Sequence, residues 1–158
     1  MIIYDGRKLM QTIIMTEENT AKLYRNLSEK VSDKFAKNIF MKLSEDEENH
    51  IKIYAEILEK LPQNGRLELS EDEVDYTELL ISSNIFSNEK LLKRYLESDA
   101  LMLAEKIERD AILFYTQLSR LFPGIVTSEM ELILKQEKKH LKAVLDSQLN
   151  KLLPFLGL

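Results

Sequence analysis

The chain contains no cysteine. That absence removes disulfides, iron–sulfur ligation, thiolate zinc sites and cysteine nucleophiles together, so any bound metal must be held by oxygen and imidazole nitrogen. Glycine and proline are scarce, at four and three residues in 158, and strand signals are weak, which leaves few points where a helix is broken. No basic run offers a phosphate-binding face, and a net charge of −5 with an isoelectric point near 5.2 argues against general affinity for nucleic acid. No apolar run approaches the roughly 18 residues of a membrane span. The opening Met1-Ile2-Ile3-Tyr4-Asp5-Gly6-Arg7 lacks a long apolar core and a small-residue cleavage site, so a cytoplasmic protein without membrane association is expected. With 44% hydrophobic and 31% charged residues, the chain fits one domain over residues 1–158 that buries a real core.

Apolar residues recur at spacings of three and four and predict four long helices, at about 6–30, 33–61, 99–121 and 129–153. The inward stripe of the first helix reads Met10, Ile13, Ile14, Glu17, Ala21, Tyr24, Leu27, Val31; that of the second reads Phe35, Ile39, Leu43, Glu47, His50, Tyr54, Ile57, Leu58, Leu61. The third carries Leu101, Ala104, Glu105, Glu108, Ala111, Ile112, Tyr115, Leu118, and the fourth Met130, Ile133, Leu134, Glu137, His140, Leu141, Val144, Leu145. Ser32 and Ser98 are candidate N-caps, and Ser70-Glu71-Asp72-Glu73 and Ser128-Glu129-Met130-Glu131 read as capping boxes. Pro62-Gln63-Asn64-Gly65 breaks the chain, Pro123-Gly124 ends the third helix and Pro154 follows the fourth. Between the two hairpins lies a crossover, 62–98, with short helices expected near 71–82 and 88–97. Two antiparallel helix hairpins joined by one long connection make an all-α bundle of the ferritin-like type.

Both histidines follow a glutamate by three residues, in Glu47-Glu48-Asn49-His50 and Glu137-Lys138-Lys139-His140. On a helix such residues lie about 60° apart around the axis and one turn along it, so both side chains reach one metal ion. Glutamate makes up 19 of 158 residues, so both histidines would carry one at that position by chance at a rate of ~1–2%, and context must decide. The context repeats as well: Glu17 precedes the first pair and is followed seven residues later by Tyr24, and Glu108 precedes the second and is followed seven residues later by Tyr115. Seven residues are two turns, which puts each tyrosine on the face of its glutamate.

Packing the four stripes together should bring Glu17, Glu47, His50, Glu108, Glu137 and His140 to one level. Four buried carboxylates without cations repel one another and lose their hydration, so they must protonate, admit water or bind metal. Two divalent ions would cancel the four charges. A glutamate from each of two helices and a Glu-x-x-His from each of the other two is the ligand pattern of ferritin-like di-iron and di-manganese carboxylate bundles. The alternative for each Glu–His pair is a helix-surface pair worth a few tenths of a kcal/mol; both pairs fall on apolar stripes, which disfavours it. The remainder of acidic runs such as Glu45-Asp46-Glu47-Glu48 reads as solvated surface.

At these residues the chain resembles the rubrerythrin-like branch of that superfamily, in Glu17-x6-Tyr24, Glu47-x-x-His50, the run Glu105 to Tyr115 and Glu137-x-x-His140, over roughly 7–61 and 99–150. The resemblance implies two irons ligated by the six residues, with Glu47 and Glu137 as bridging carboxylates. It also implies a seventh position at Glu105, which has the spacing of the family's second carboxylate on the third helix and otherwise reads as a solvated helix charge. Tyr24 and Tyr115 are candidate donors to metal-bound carboxylates, or core tyrosines bonded elsewhere. Manganese or zinc would fit the same donors.

The implied activity is reduction of hydrogen peroxide to water, with oxygen reduction or ferrous-iron oxidation as close variants. One departure stands out: rubrerythrins proper append a cysteine-ligated rubredoxin-like iron domain, and these residues hold no cysteine. Turnover would draw on an external electron donor. Iron binding and storage in a closed shell, and a metal-free adaptor bundle, are the competing classes. A homodimer is expected for this architecture.

Overall fold

The computed structural model describes residues 1–62, 65–125 and 127–152, without the side chains of Ile125, Lys151 and Leu152. The expected helix end at Leu153, the stop at Pro154, and Gln63 and Asn64 of the expected break lie outside them. The four long helices are α1 (Arg7–Lys30), α2 (Lys34–Lys60), α5 (Ala100–Leu121) and α6 (Ser128–Leu152), and the crossover carries α3 (Glu71–Ser83) and α4 (Glu89–Leu96). α1 packs chiefly on α2 and α5 chiefly on α6, while α1·α5 and α2·α6 contacts join the hairpins. This is an all-α, ferritin-like bundle. No helix among the described residues is long and apolar enough to cross a membrane.

Weak strand signals hid one element. Ile2–Asp5 (β1) pairs antiparallel with Arg66–Leu69 (β2), from Ile2 opposite Leu69 to Asp5 opposite Arg66. Each strand is four residues long, too short for alternation to stand out, and the pair exists only because the crossover returns to the start of α1. Two glycines permit the junction. Gly65 has φ +55°, a conformation costly for residues with a Cβ, and its carbonyl accepts from Gly6 N at 2.9 Å. A Cβ on Gly6 would run into the Phe122 ring and come within 2.8 Å of Leu67 Cδ1.

Three caps sit one residue from the expected position. Asp33 rather than Ser32 caps α2, accepting from Ala36 N at 2.8 Å, and Asp99 rather than Ser98 caps α5, accepting from Leu101 N at 2.7 Å. Thr127 rather than Ser128 accepts from Met130 N at 3.2 Å at the start of α6. Neighbouring residues of capping type are chemically equivalent, and backbone geometry chooses between them. Ser70 does cap α3, accepting from Glu73 N at 3.3 Å.

The apolar core comes in two parts. Leu9, Met10, Ile13, Tyr54, Ile57, Phe114, Leu118, Met130 and Ile133 pack at one end; Tyr24, Phe40, Leu43, Leu103, Ile107 and Val144 pack at the other. Full burial of each large aliphatic or aromatic side chain contributes roughly 1.5–3 kcal/mol. Phe35, expected inward, is 71% exposed, because it stands in the first turn of α2 and Phe40 takes the inward place one turn and a half later.

The crossover is tied down by polar bonds. Asn84 Nδ2 donates to Thr16 Oγ1 at 2.6 Å, and Gln117 Nε2 donates to Thr77 Oγ1 at 2.8 Å and Glu73 Oε2 at 3.0 Å.

Candidate metal centre

Between the two apolar clusters lies a polar layer. Glu17 from α1, Glu47 and His50 from α2, Glu108 from α5, and Glu137 and His140 from α6 are all buried, none more than 6% exposed. Each sits on the inward stripe near the middle of its helix, so helix packing that buries the apolar residues necessarily buries these too.

Two overlapping groups result. Ligating atoms of Glu17, Glu47, His50 and Glu137 lie within 4.8 Å of one another, and so do those of Glu47, Glu108, Glu137 and His140. Glu47 and Glu137 belong to both. His50 Nδ1 is 3.1 Å from Glu47 Oε2 and 2.7 Å from Glu137 Oε1; His140 Nδ1 is 3.4 Å from Glu47 Oε1 and 3.7 Å from Glu137 Oε2. Each shared carboxylate therefore turns one oxygen toward each histidine. Glu17 Oε2 completes the first group at 3.8 Å from His50 Nδ1, and Glu108 Oε2 the second at 3.4 Å from His140 Nδ1. The imidazole rings stand 6.2 Å apart, inclined by 23°.

The electrostatics are those of a crowded anionic site. Burial, followed by the charge of Glu47, pushes the Glu17 carboxyl well above its usual range; burial and the charge of Glu137 do the same to Glu108. Burial alone would lower both histidines, but the carboxylates facing them prevail: Glu137, Glu17 and Glu47 raise His50, and Glu108, Glu137 and Glu47 raise His140. Glu137 goes the other way: burial opposes its ionisation, yet His140 and His50 hold it well below the usual range.

These residues fit a metal pair on two observations. Glu17 Oε2, Glu47 Oε1, Glu108 Oε2, both oxygens of Glu137 and Nδ1 of His140 are buried and make no well-aligned hydrogen bond among the described residues, close as some of them lie to a charged neighbour, a costly state for groups that could take a cation. Moreover, carboxylate oxygen and imidazole nitrogen suit divalent iron, manganese or zinc.

The two expected tyrosines differ. Tyr24 donates to Glu108 Oε1 at 2.5 Å, so it serves the glutamate of the other hairpin rather than Glu17 on its own helix. Tyr115 is buried in the first apolar cluster, where Ser119 and Glu131 are the polar groups acting on its hydroxyl. Glu105 lies outside both groups: its Oε1 accepts from Arg109 at 3.0 Å and its Oε2 from Gln148 at 2.9 Å.

Asp46 and Gln136 escaped the sequence reading. Asp46, placed with solvated charge, is only 7% exposed and its Oδ2 accepts from His140 Nε2 at 2.9 Å. Gln136 Oε1 accepts from His50 Nε2 at 2.8 Å. Each immediately precedes the glutamate of one Glu-x-x-His and bonds to the histidine of the other, a signal present in sequence as a paired polar residue. Tyr54, expected inward on the second helix, is buried as expected at 2% exposed, and burial together with the charges of Glu17, Glu137 and Glu47 raises its hydroxyl pKa. A groove of about 620 Å³ between α2 and α6, lined by Lys42, Asp46, Gln136, Lys139 and His140, leads from solvent to this side of the layer.

No curated protein and no solved structure matched the chain. A family model, Rubrerythrin, matches residues 8–146. The match takes in both hairpins, the crossover and all six residues of the polar layer, and the chain belongs to the rubrerythrin family, a ferritin-like di-iron carboxylate family.

Proposed function

We propose that the protein is a di-iron oxidoreductase that reduces hydrogen peroxide to water. Membership of the rubrerythrin family supports a di-iron oxidoreductase in general. The observation that carries the reading is the divided orientation of Glu47 and Glu137, each with one oxygen toward each histidine, so that both carboxylates would help to hold a cation in either half. Glu17 and His50 would complete one half, Glu108 and His140 the other. An iron pair would supply the two electrons that, with two protons, convert one hydrogen peroxide to two waters, each ferrous ion becoming ferric.

The chain's own residues supply placement and exclusion. The apolar clusters on either side keep bulk water from the layer, Tyr24 holds Glu108 by its Oε1, and the groove at His140 would admit a molecule as small as peroxide or dioxygen. Recovery of the reduced state would fall to an electron donor outside these 158 residues, which hold no cysteine to ligate a further iron. The reading takes the working unit as a homodimer.

The absence of cysteine also favours one second reading, in which ferrous iron itself is the substrate and the protein oxidises or stores it. Solution mass separates storage, which needs a closed shell, from a monomer or dimer. Anaerobic loading with ferrous iron, metal analysis of the same sample, and absorbance after adding peroxide or oxygen test the main reading. It expects two irons per chain and rapid oxidation by one equivalent of peroxide. An iron-loaded protein inert to peroxide overturns it, and faster oxidation by oxygen favours the second reading.

A further inference from the structure

The two halves of the polar layer are matched inside and mismatched outside. Each would take one glutamate and one histidine of its own and share Glu47 and Glu137. Each histidine turns Nδ1 inward and Nε2 outward, and the outward bonds are alike in length, 2.9 Å from His140 to Asp46 and 2.8 Å from His50 to Gln136. They differ in charge. His140 donates to a carboxylate, and His50 to a neutral amide carbonyl.

We propose that Asp46, acting through His140, makes the Glu108/His140 half the stronger cation site, so that the first of two divalent ions is taken up there. The inference rests on the metal-binding reading above. An anionic acceptor on Nε2–H pushes electron density into the ring and strengthens Nδ1 as a ligand, and an amide oxygen does so less. Asp46 is a positioning residue: it touches the ligand, not the ion.

Its placement is secured independently of any ion. Asp46 Oδ1 accepts from Lys42 at 2.6 Å while Oδ2 holds His140, so both oxygens are committed and the imidazole rotation is set. Lys42 is 69% exposed, and solvent screens its claim on the Asp46 charge. On the same half, Tyr24 engages Glu108 Oε1 and leaves Oε2 facing His140 Nδ1 at 3.4 Å. In this half the histidine and its own glutamate are each held by a bond from outside the layer, and Asp46 adds a negative charge that the other half lacks.

The chain has only two histidines, so each half reports through one residue. Titrating the metal-free, ¹⁵N-histidine-labelled full chain with zinc ions alone, followed by NMR, reads the order of filling directly. The His140 signals should move before those of His50, with the first ion bound about 10-fold or more tighter than the second. In Asp46→Asn that lead should disappear, the first step weakening by about 10–100-fold, while Asp46→Glu, which keeps the charge, should retain it. Should Asp46→Asn not fold, Gln136→Glu supplies the same test from the other side: the His50 signals should then move together with those of His140. Two zinc ions taken up in unison by the wild type, or an unchanged order in the folded Asp46→Asn or in Gln136→Glu, overturn the inequivalence and leave the metal centre standing. A wild-type chain that takes up no zinc overturns the metal-binding reading itself.

Discussion

The hydroxyl of Tyr24 on α1 meets Glu108 Oε1 on α5 at 2.5 Å in the buried middle of the bundle. Replacing Tyr24 by Phe removes the donor and leaves a buried carboxylate oxygen unsatisfied, a loss of about 1–3 kcal/mol. The metal-free protein should melt lower, and ion uptake at the Glu108/His140 half should weaken because Glu108 is free to turn. Thermal unfolding and metal titration of Tyr24→Phe check both; an unchanged melting temperature would mean the bond contributes nothing net.

Glu17 presents the opposite balance. Its carboxyl is held well above the usual range by burial and by the Glu47 charge, so the folded chain favours its uncharged form. Glu17→Gln keeps shape and removes ionisation. In the metal-free state at neutral pH the variant should melt ~2–4 °C higher than wild type, the shift that about 1 kcal/mol produces in a chain of this size, while retained metal falls below two ions per chain. Differential scanning calorimetry with metal analysis reads both, and a variant less stable than wild type in the metal-free state contradicts the electrostatic argument.

Stability should depend on pH with opposite sign in the two states. Glu17 and Glu108 have raised folded-state values, so above their ordinary 4.5 the folded metal-free chain binds more protons than the unfolded one, and stability falls as pH rises. His50 and His140 are also raised from 6.5 and act in the same sense above that value. Glu137, held low, adds stability above 4.5 that is lost only in acid. Metal binding requires every one of these groups deprotonated, so the stabilisation by metal should grow with pH. Melts at about pH 5.5 and about pH 8, with and without two equivalents of zinc, should show the metal-free curve falling and the gain from metal rising.

Gly6 tests the scaffold apart from the centre. Any Cβ there meets the ring of Phe122, itself 7% exposed, and Leu67 of β2. Gly6→Ala should cost about 1–3 kcal/mol through forced displacement of packed groups, with the metal content of the folded protein unchanged. A loss of metal in a folded Gly6→Ala chain would show that the strand pair controls the layer rather than merely securing α1.

How much of this was legible in the sequence follows from range. Within one helix, periodicity assigns faces without reference to anything else, so Glu17, Glu47, His50, Glu108, Glu137 and His140 announce themselves as polar residues on apolar stripes, and Pro62 and Pro123 mark where helices stop. Even the pairing into two halves is contained in the repeated Glu-x-x-His. Contacts between helices depend on axial stagger and rotation, which the packing of all four sets jointly and no single stretch encodes. Asp46 reads as one more charge in Glu45-Asp46-Glu47-Glu48 until α6 lays His140 against it. Tyr24 reads as the companion of Glu17, yet its long side chain crosses to Glu108. Phe35 reads as core, but the inward place belongs to Phe40. β1 and β2 exist only as partners, since four residues acquire strand geometry here from the hydrogen bonds they exchange. The sequence by itself determined which residues would share the buried layer, because burial follows the helical repeat; the tertiary structure alone decided which of them touch, because side-chain hydrogen bonds reach only a few ångströms and helix placement fixes that distance.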